Sequence, residues 1–151
     1  MFKKLFVPSD DSDLTSMALL VARLWFGLVM LFNHGLDKLA HFKDMVGTFQ
    51  DPLGFGQEAS LVLVIVAEVG AALLLAVGLM TRLAAAVLVI DMFVAFLMVH
   101  KTALTGPQSG ELAFLYLAGY VLLVIAGGGL FSLDTIAFSN TNRSRLQKRG
   151  G

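Results

Sequence analysis

Glu68 and Asp91 bracket the stretch EVGAALLLAVGLMTRLAAAVLVID, which sets the strictest condition on how this chain folds. It reads as two apolar helices joined by a tight polar turn at Thr81-Arg82. One carboxylate sits inside each arm, with no neighbouring base in sequence to neutralise it. A carboxylate at the centre of a membrane helix costs about 2.5–3.5 kcal/mol on insertion-derived scales. The fold must therefore give each acid a partner, a proton or water.

Composition decides that these are membrane helices. Of 151 residues 57% are hydrophobic and 15% charged, with a mean hydropathy of +0.80; soluble domains run at about 45–50% apolar and about 25% charged. The excess lies in long blocks, so the chain is an integral membrane protein bound to the lipid bilayer. Net charge is zero, and no strongly basic face calls for nucleic acid. There is no cysteine, which excludes disulfides, cysteine-bound iron–sulfur clusters, c-type haem attachment and persulfide chemistry on this chain. A redox role would need a bound cofactor, a quinone or a partner subunit.

A spanning helix needs about 20 mostly apolar residues. Four segments qualify: 14–32, 59–80, 83–99 and 112–131. No alternating run offers a barrel. The expected fold is all-α, a four-transmembrane-helix bundle over 1–138 followed by a polar, basic, disordered tail over 139–151. Lys3, Lys4, Arg82, Arg143, Arg145, Lys148 and Arg149 fall on one side, against Lys38, Lys43 and Lys101 on the other. The positive-inside rule then makes both termini cytoplasmic. The opening MFKKLFVPSDDSDLTS is broken by Pro8 and three aspartates, so it reads as an uncleaved cytoplasmic lead-in.

Between the first two spans, DKLAHFKDMVGTF either extends helix one or lies in the interface, before a turn at Pro52-Leu53-Gly54. Ser132-Leu133-Asp134 reads as the cap of a short interfacial helix ending near Phe138. Gly70, Ala71, Ala72, Ala76, Gly78, Ala84, Ala85 and Ala86 predict close packing of helices two and three.

At about 100° per residue, Arg23, Met30, His34 and His41 share one line along helix one, with Lys38 beside it. Arg23 is the base at comparable depth to the two acids, which predicts an intramembrane cluster of Arg23, Glu68 and Asp91. One base cannot neutralise two acids, so the cluster is anionic or holds a proton. It reads either as a structural ion pair or as the catalytic, proton-handling centre. His100 stands about 180° from Asp91 and is expected to face away, which disfavours a bis-histidine haem; no metal site is assigned. Tyr116 and Tyr120 lie one turn apart on helix four and serve either as an aromatic belt or as hydroxyls facing a polar chamber. A quinone headgroup suits such a chamber, because it needs hydrogen-bond donors, a protonatable group and an apolar slot.

These residues also carry a family likeness. RLWFGLVMLFNHGLDKL resembles the Arg…Gly…His-Gly…Lys-Leu opening of the DoxX family of small four-helix membrane proteins. EVGAALLLAVGLMTRLAAAVLVIDMFVA resembles its Glu-then-Leu-Gly-Leu-x-Thr-Arg hairpin. GGGLFSLD is similar to its closing motif, with Gly128 where many members have another small residue or proline. The family takes its name from a subunit associated with an archaeal terminal quinol oxidase and thiosulfate:quinone oxidoreductase, and other members are implicated in membrane-bound oxidoreductase complexes. The resemblance implies a bacterial-type inner-membrane protein, a subunit or accessory of a quinone-linked oxidoreductase working beside a partner redox protein. His34, Lys38, Tyr116 and Tyr120 would contact the quinone headgroup. The rival expectations are a non-catalytic scaffold that recruits a partner enzyme, and a proton or small-molecule pathway, which would need a homo-oligomer.

Overall fold

The structure, a computed structural model, describes residues 12–137. The expected lead-in over 1–11, the helix end near Phe138 and the tail lie outside the described residues. Among the described residues all regular structure is helical. We number the helices α1 (Ser12–Ala40), α2 (Phe42–Met45), α3 (Gln57–Val77), α4 (Thr81–Val99) and α5 (Glu111–Ala126). With 29, 21 and 19 residues, α1, α3 and α4 are long and apolar enough to cross a membrane. Of the two readings of DKLAHFKDMVGTF, the continuation of helix one holds as far as Ala40.

α5 is apolar but has 16 residues, fewer than the span expected over 112–131. Gly127 ends it by turning to φ 79° and ψ −162°, and Gly129, two residues on, has φ 71°. The turn between α3 and α4 also differs from expectation. Gly78 takes the left-handed conformation, the Gly78 N–H donates to the Leu75 carbonyl at 3.1 Å, and the Leu79 N–H donates to that of Leu74 at 3.0 Å. This is a Schellman ending, which favours glycine because a Cβ is strained there. The turn therefore lies at 78–80, and Thr81-Arg82 form the first residues of α4.

The four long helices close into a ring in the order α1, α3, α4, α5. The small residues expected to pack α3 on α4 are largely buried, among them Ala72, Ala76, Ala84 and Ala85, and small residues also bring α1 close to α3. A Cβ on Gly27 would lie 2.9 Å from the Ala72 carbonyl oxygen and 3.0 Å from the Ala76 Cβ. α4 makes its most extensive contact with α5. Leu75, Leu88, Tyr120 and Leu123 fill the middle of the bundle and are buried.

The far side of that middle layer departs from regular α-helix. A π-helical turn interrupts α1 at Leu31–Gly35, another interrupts α3 at Val66–Ala71, and a third ends α4 at Ala95–Val99. Such i→i+5 turns take up an extra residue, rotate the next stretch of helix about its axis and occur often at functional sites. Two of them touch: a Cβ on Gly35 would lie 2.6 Å from the Glu68 carbonyl oxygen.

At the hairpin end the chain folds back after α5. Residues 133–137 are helical, and the Thr135 N–H donates to the Ser132 hydroxyl at 3.3 Å, as the serine was expected to cap this turn. Asp134 then accepts from the N–H groups of Met80 at 2.6 Å and Thr81 at 2.9 Å, capping the start of α4 from a distant part of the chain.

Candidate functional site

The three π-helical turns surround a pocket of about 760 Å3. His34 comes from the first turn, Ala67 and Glu68 from the second, Ala95 and Val99 from the third. Lys38, Asp91 and Tyr116 complete its polar wall, and Met30, Val64, Val87 and Ile90 contribute apolar surface. Met45, Phe49, Leu53 and Phe55 of the segment between α1 and α3 roof its outer end. That roof is pinned by Asp51, whose carboxylate accepts from the Phe55 N–H at 2.9 Å, the Gly56 N–H at 2.8 Å and the Ser60 hydroxyl at 2.7 Å. The Ser60 hydroxyl first, then the backbone N–H groups, hold the Asp51 carboxyl below the usual carboxylate range.

Glu68 is buried, and its partner is Lys38, whose Nζ donates to Oε2 at 2.6 Å and to Oε1 at 2.9 Å. A helical side chain points back toward the helix N-terminus, so Lys38, near the end of α1, reaches down into the bundle. Asp91 lies close enough to feel the charges of both Glu68 and Lys38, and its buried Oδ2 has no hydrogen-bond partner among the described residues. The balance foreseen for the two acids holds with a different base: one cation faces two carboxyls.

The expected cluster of Arg23 with those acids is corrected by the structure. Arg23 is fully buried, but its Nη2 donates to the Phe131 carbonyl at 2.8 Å. Its guanidinium fills the space that a Cβ on Gly78 would occupy, and Asp134 supplies nearby negative charge. Gly78 lies ten residues beyond Glu68, about 15 Å at 1.5 Å per residue. Arg23 is thus at the hairpin end while the acids are at mid-helix. The expectation failed because sequence does not give the register of α1 on α3: Gly35 packs on Glu68 and Gly27 on Ala72 and Ala76, which leaves Lys38 beside Glu68 and Arg23 beside Gly78.

The other site residues divide in the same way. Tyr116 lines the pocket with its ring edge-on to His34, centroids 5.8 Å apart. Tyr120 lies one turn deeper, outside the pocket lining, and its hydroxyl donates to the Phe26 carbonyl at 3.3 Å. His41 is on the exposed end of α1 and pairs with Asp37 at 3.1 Å. His100, expected to face away from Asp91, lines the same pocket, because the π-helical turn ahead of it shifts its rotation; its N–H donates to the Ala95 carbonyl at 2.9 Å. Gly35 and Asp51 were not singled out from sequence. A signal existed for Asp51, an aspartate opening the Asp-Pro-Leu-Gly turn, and for Gly35 the His-Gly of the family-like opening, although what Gly35 does depends on a neighbouring helix.

Three of the four long helices that build this pocket, α1, α3 and α4, lie almost wholly in the part of the chain that matches a known family. The family model DoxX matches residues 18–101. The chain is a member of the DoxX family. The match takes in Arg23, His34, Lys38, Glu68 and Asp91, and stops short of α5 with its two tyrosines. Comparison with curated proteins and with solved structures finds no match.

Proposed function

We propose that this DoxX-family membrane protein binds a quinone or quinol in the pocket between its π-helical turns, as a subunit or accessory of an oxidoreductase. The observation that carries the reading is a largely apolar pocket with ionisable groups contributed by all four long helices and a carboxylate oxygen left free there. Asp91 Oδ2 is placed to exchange a hydrogen bond or a proton with a headgroup oxygen, and Lys38, His34 and Tyr116 offer further polar contacts. Glu68 positions Lys38. Arg23 and Tyr120 are assigned to packing, since neither lines the pocket and the Arg23 Nη2 and the Tyr120 hydroxyl donate to carbonyls outside it.

Electrons would pass between the bound quinone or quinol and a partner redox protein, because the chain has no cysteine to hold an iron–sulfur cluster. We place the protein in a bacterial-type inner membrane with α5 as a thinned fourth span and both ends cytoplasmic, following the Lys and Arg distribution. On that orientation the pocket lies toward the outer face. A proton pathway through one chain is the weaker reading, because buried Leu75, Leu88 and Leu123 lie between the pocket and Arg23.

Lipid extracts of the purified protein, and titration with a quinone analogue in nanodiscs, test this. Co-purifying quinone, and binding weakened about tenfold or more by Asp91→Asn, are expected. Quinone-free protein that fails to bind the analogue overturns the proposal and shifts weight to a partner-recruiting scaffold.

A further inference from the structure

The four seams between neighbouring helices are not equally closed around the pocket. The α1–α3 seam is shut by Gly35 against the Glu68 carbonyl and by the Lys38–Glu68 ion pair. The α1–α5 seam is shut by rings: Phe26 and His34 meet Tyr116 edge-on, with centroids 5.9 and 5.8 Å apart. The α4–α5 seam is shut by Phe96 against Phe114 at 5.1 Å, and by Gly110 beneath the His100 ring. The α3–α4 seam differs. It is tight at the hairpin, yet among the described residues the outer ends Gln57–Ile65 and Ala95–Val99 scarcely meet.

Two residues mark this seam as a mouth. Leu63 of α3 and Ile90 of α4 both line the pocket, yet they are 54% and 64% exposed. Both are apolar and belong to helices long enough to span a membrane, so the opening faces acyl chains. The water-facing end is covered by the apolar roof pinned at Asp51.

Charge selects what fits. A phosphate headgroup would meet two carboxyls with a single ammonium already engaged by Glu68, which opposes a phospholipid. A neutral head with a hydroxyl donor satisfies the free Asp91 oxygen without adding charge. We infer that the occupant is a prenylated quinol, taken up sideways from the bilayer between the outer halves of α3 and α4, with its tail resting in that seam. This rests on the quinone reading above and adds to it the route, the tail and the reduced form of the ligand.

The test uses the full chain in nanodiscs with two probes, decyl-ubiquinol and the tail-less 2,3-dimethoxy-5-methylhydroquinone. Ile90→Trp and Leu63→Trp place bulk in the seam, where the tail would lie. Each is expected to weaken decyl-ubiquinol binding about tenfold more than it weakens the tail-less probe. The chain has no native cysteine. A fluorophore on Ile90→Cys should therefore report the tail directly, being quenched by a bromine-tailed probe, whereas one on Leu122→Cys, exposed on α5, should not be. Wild-type protein that binds neither probe overturns this inference together with the quinone reading. Binding of both probes with no seam effect and equal quenching at the two positions overturns the lateral route alone. A preference for the oxidised over the reduced decyl probe overturns the assignment of the quinol form.

Discussion

The Lys38–Glu68–Asp91 group and the Arg23–Phe131–Asp134 group both hold charge inside a lipid-facing bundle, but they are built to different ends. Arg23 is enclosed: it is fully buried, donates through Nη2 to a backbone carbonyl while Nε and Nη1 find no hydrogen-bond partner among the described residues, borders no pocket, and is fitted so closely that Gly78 has no room for a side chain. The segment that covers it also caps α4 through Asp134. The outer group instead borders open volume, is set in irregular helix, and leaves one carboxylate oxygen without a partner among the described residues. Buried polar groups are nearly always satisfied, so an unsatisfied one beside a cavity points to something the site receives. On the proposed function, the comparison separates a charge that locks the fold from charges kept available for a ligand.

The largest expected effect comes from Gly78→Ala. It adds left-handed strain and a clash with the Arg23 guanidinium, together about 2–4 kcal/mol. Thermal unfolding in detergent should show that loss, while quinol affinity of the folded fraction stays unchanged. A drop in affinity with stability intact would break the division between the two groups.

Lys38→Met should act on both properties. Breaking a fully buried pair costs about 3–5 kcal/mol. Lys38 retains 18% exposure, so a loss of about 2 kcal/mol is expected, with weaker binding. Lys38→Met with Glu68→Gln should recover most of the stability and none of the affinity. Equal destabilisation in the single and double variants would show that the pair is not coupled.

Asp134→Ala removes the cap on α4 and should cost about 1 kcal/mol. Burial raises the Asp134 carboxyl, but the backbone N–H groups of Thr81 and Met80, with Arg23 nearby, outweigh this and hold it below the usual range. A depressed carboxyl contributes stability above its unfolded value, about 3.9, and loses it as pH falls through the lower folded value. Melting midpoints measured below about pH 4 should therefore fall more steeply in wild type than in Asp134→Asn. Parallel curves would remove Asp134 from the clamp.

Much of this architecture was legible in the sequence. Apolar blocks of the right length marked the helices, and Ser132-Leu133-Asp134 marked a cap, because both signals are local. The three π-helical turns were not legible. Residues 31–35, 66–71 and 95–99 carry no proline and no composition that forces an extra residue into a turn. Projection at about 100° per residue consequently misplaced His100. The site was half legible: Glu68, Asp91, Lys38, His34 and Tyr116 were chosen for their chemistry and they do meet. Arg23 was grouped with them by assumed depth, and that depth is set by how Gly35 packs on Glu68 and Gly27 on Ala72 and Ala76, a tertiary fact.

The most direct test compares one carboxylate from each group. Asp91→Asn and Asp134→Asn should be reconstituted in nanodiscs and titrated with decyl-ubiquinol beside wild type. Asp91→Asn is expected to weaken binding by about tenfold or more and Asp134→Asn to leave it within about twofold. Equal affinity in all three proteins, or a greater loss in Asp134→Asn, would contradict the claim that the pocket at the π-helical turns is where this DoxX-family protein meets its ligand.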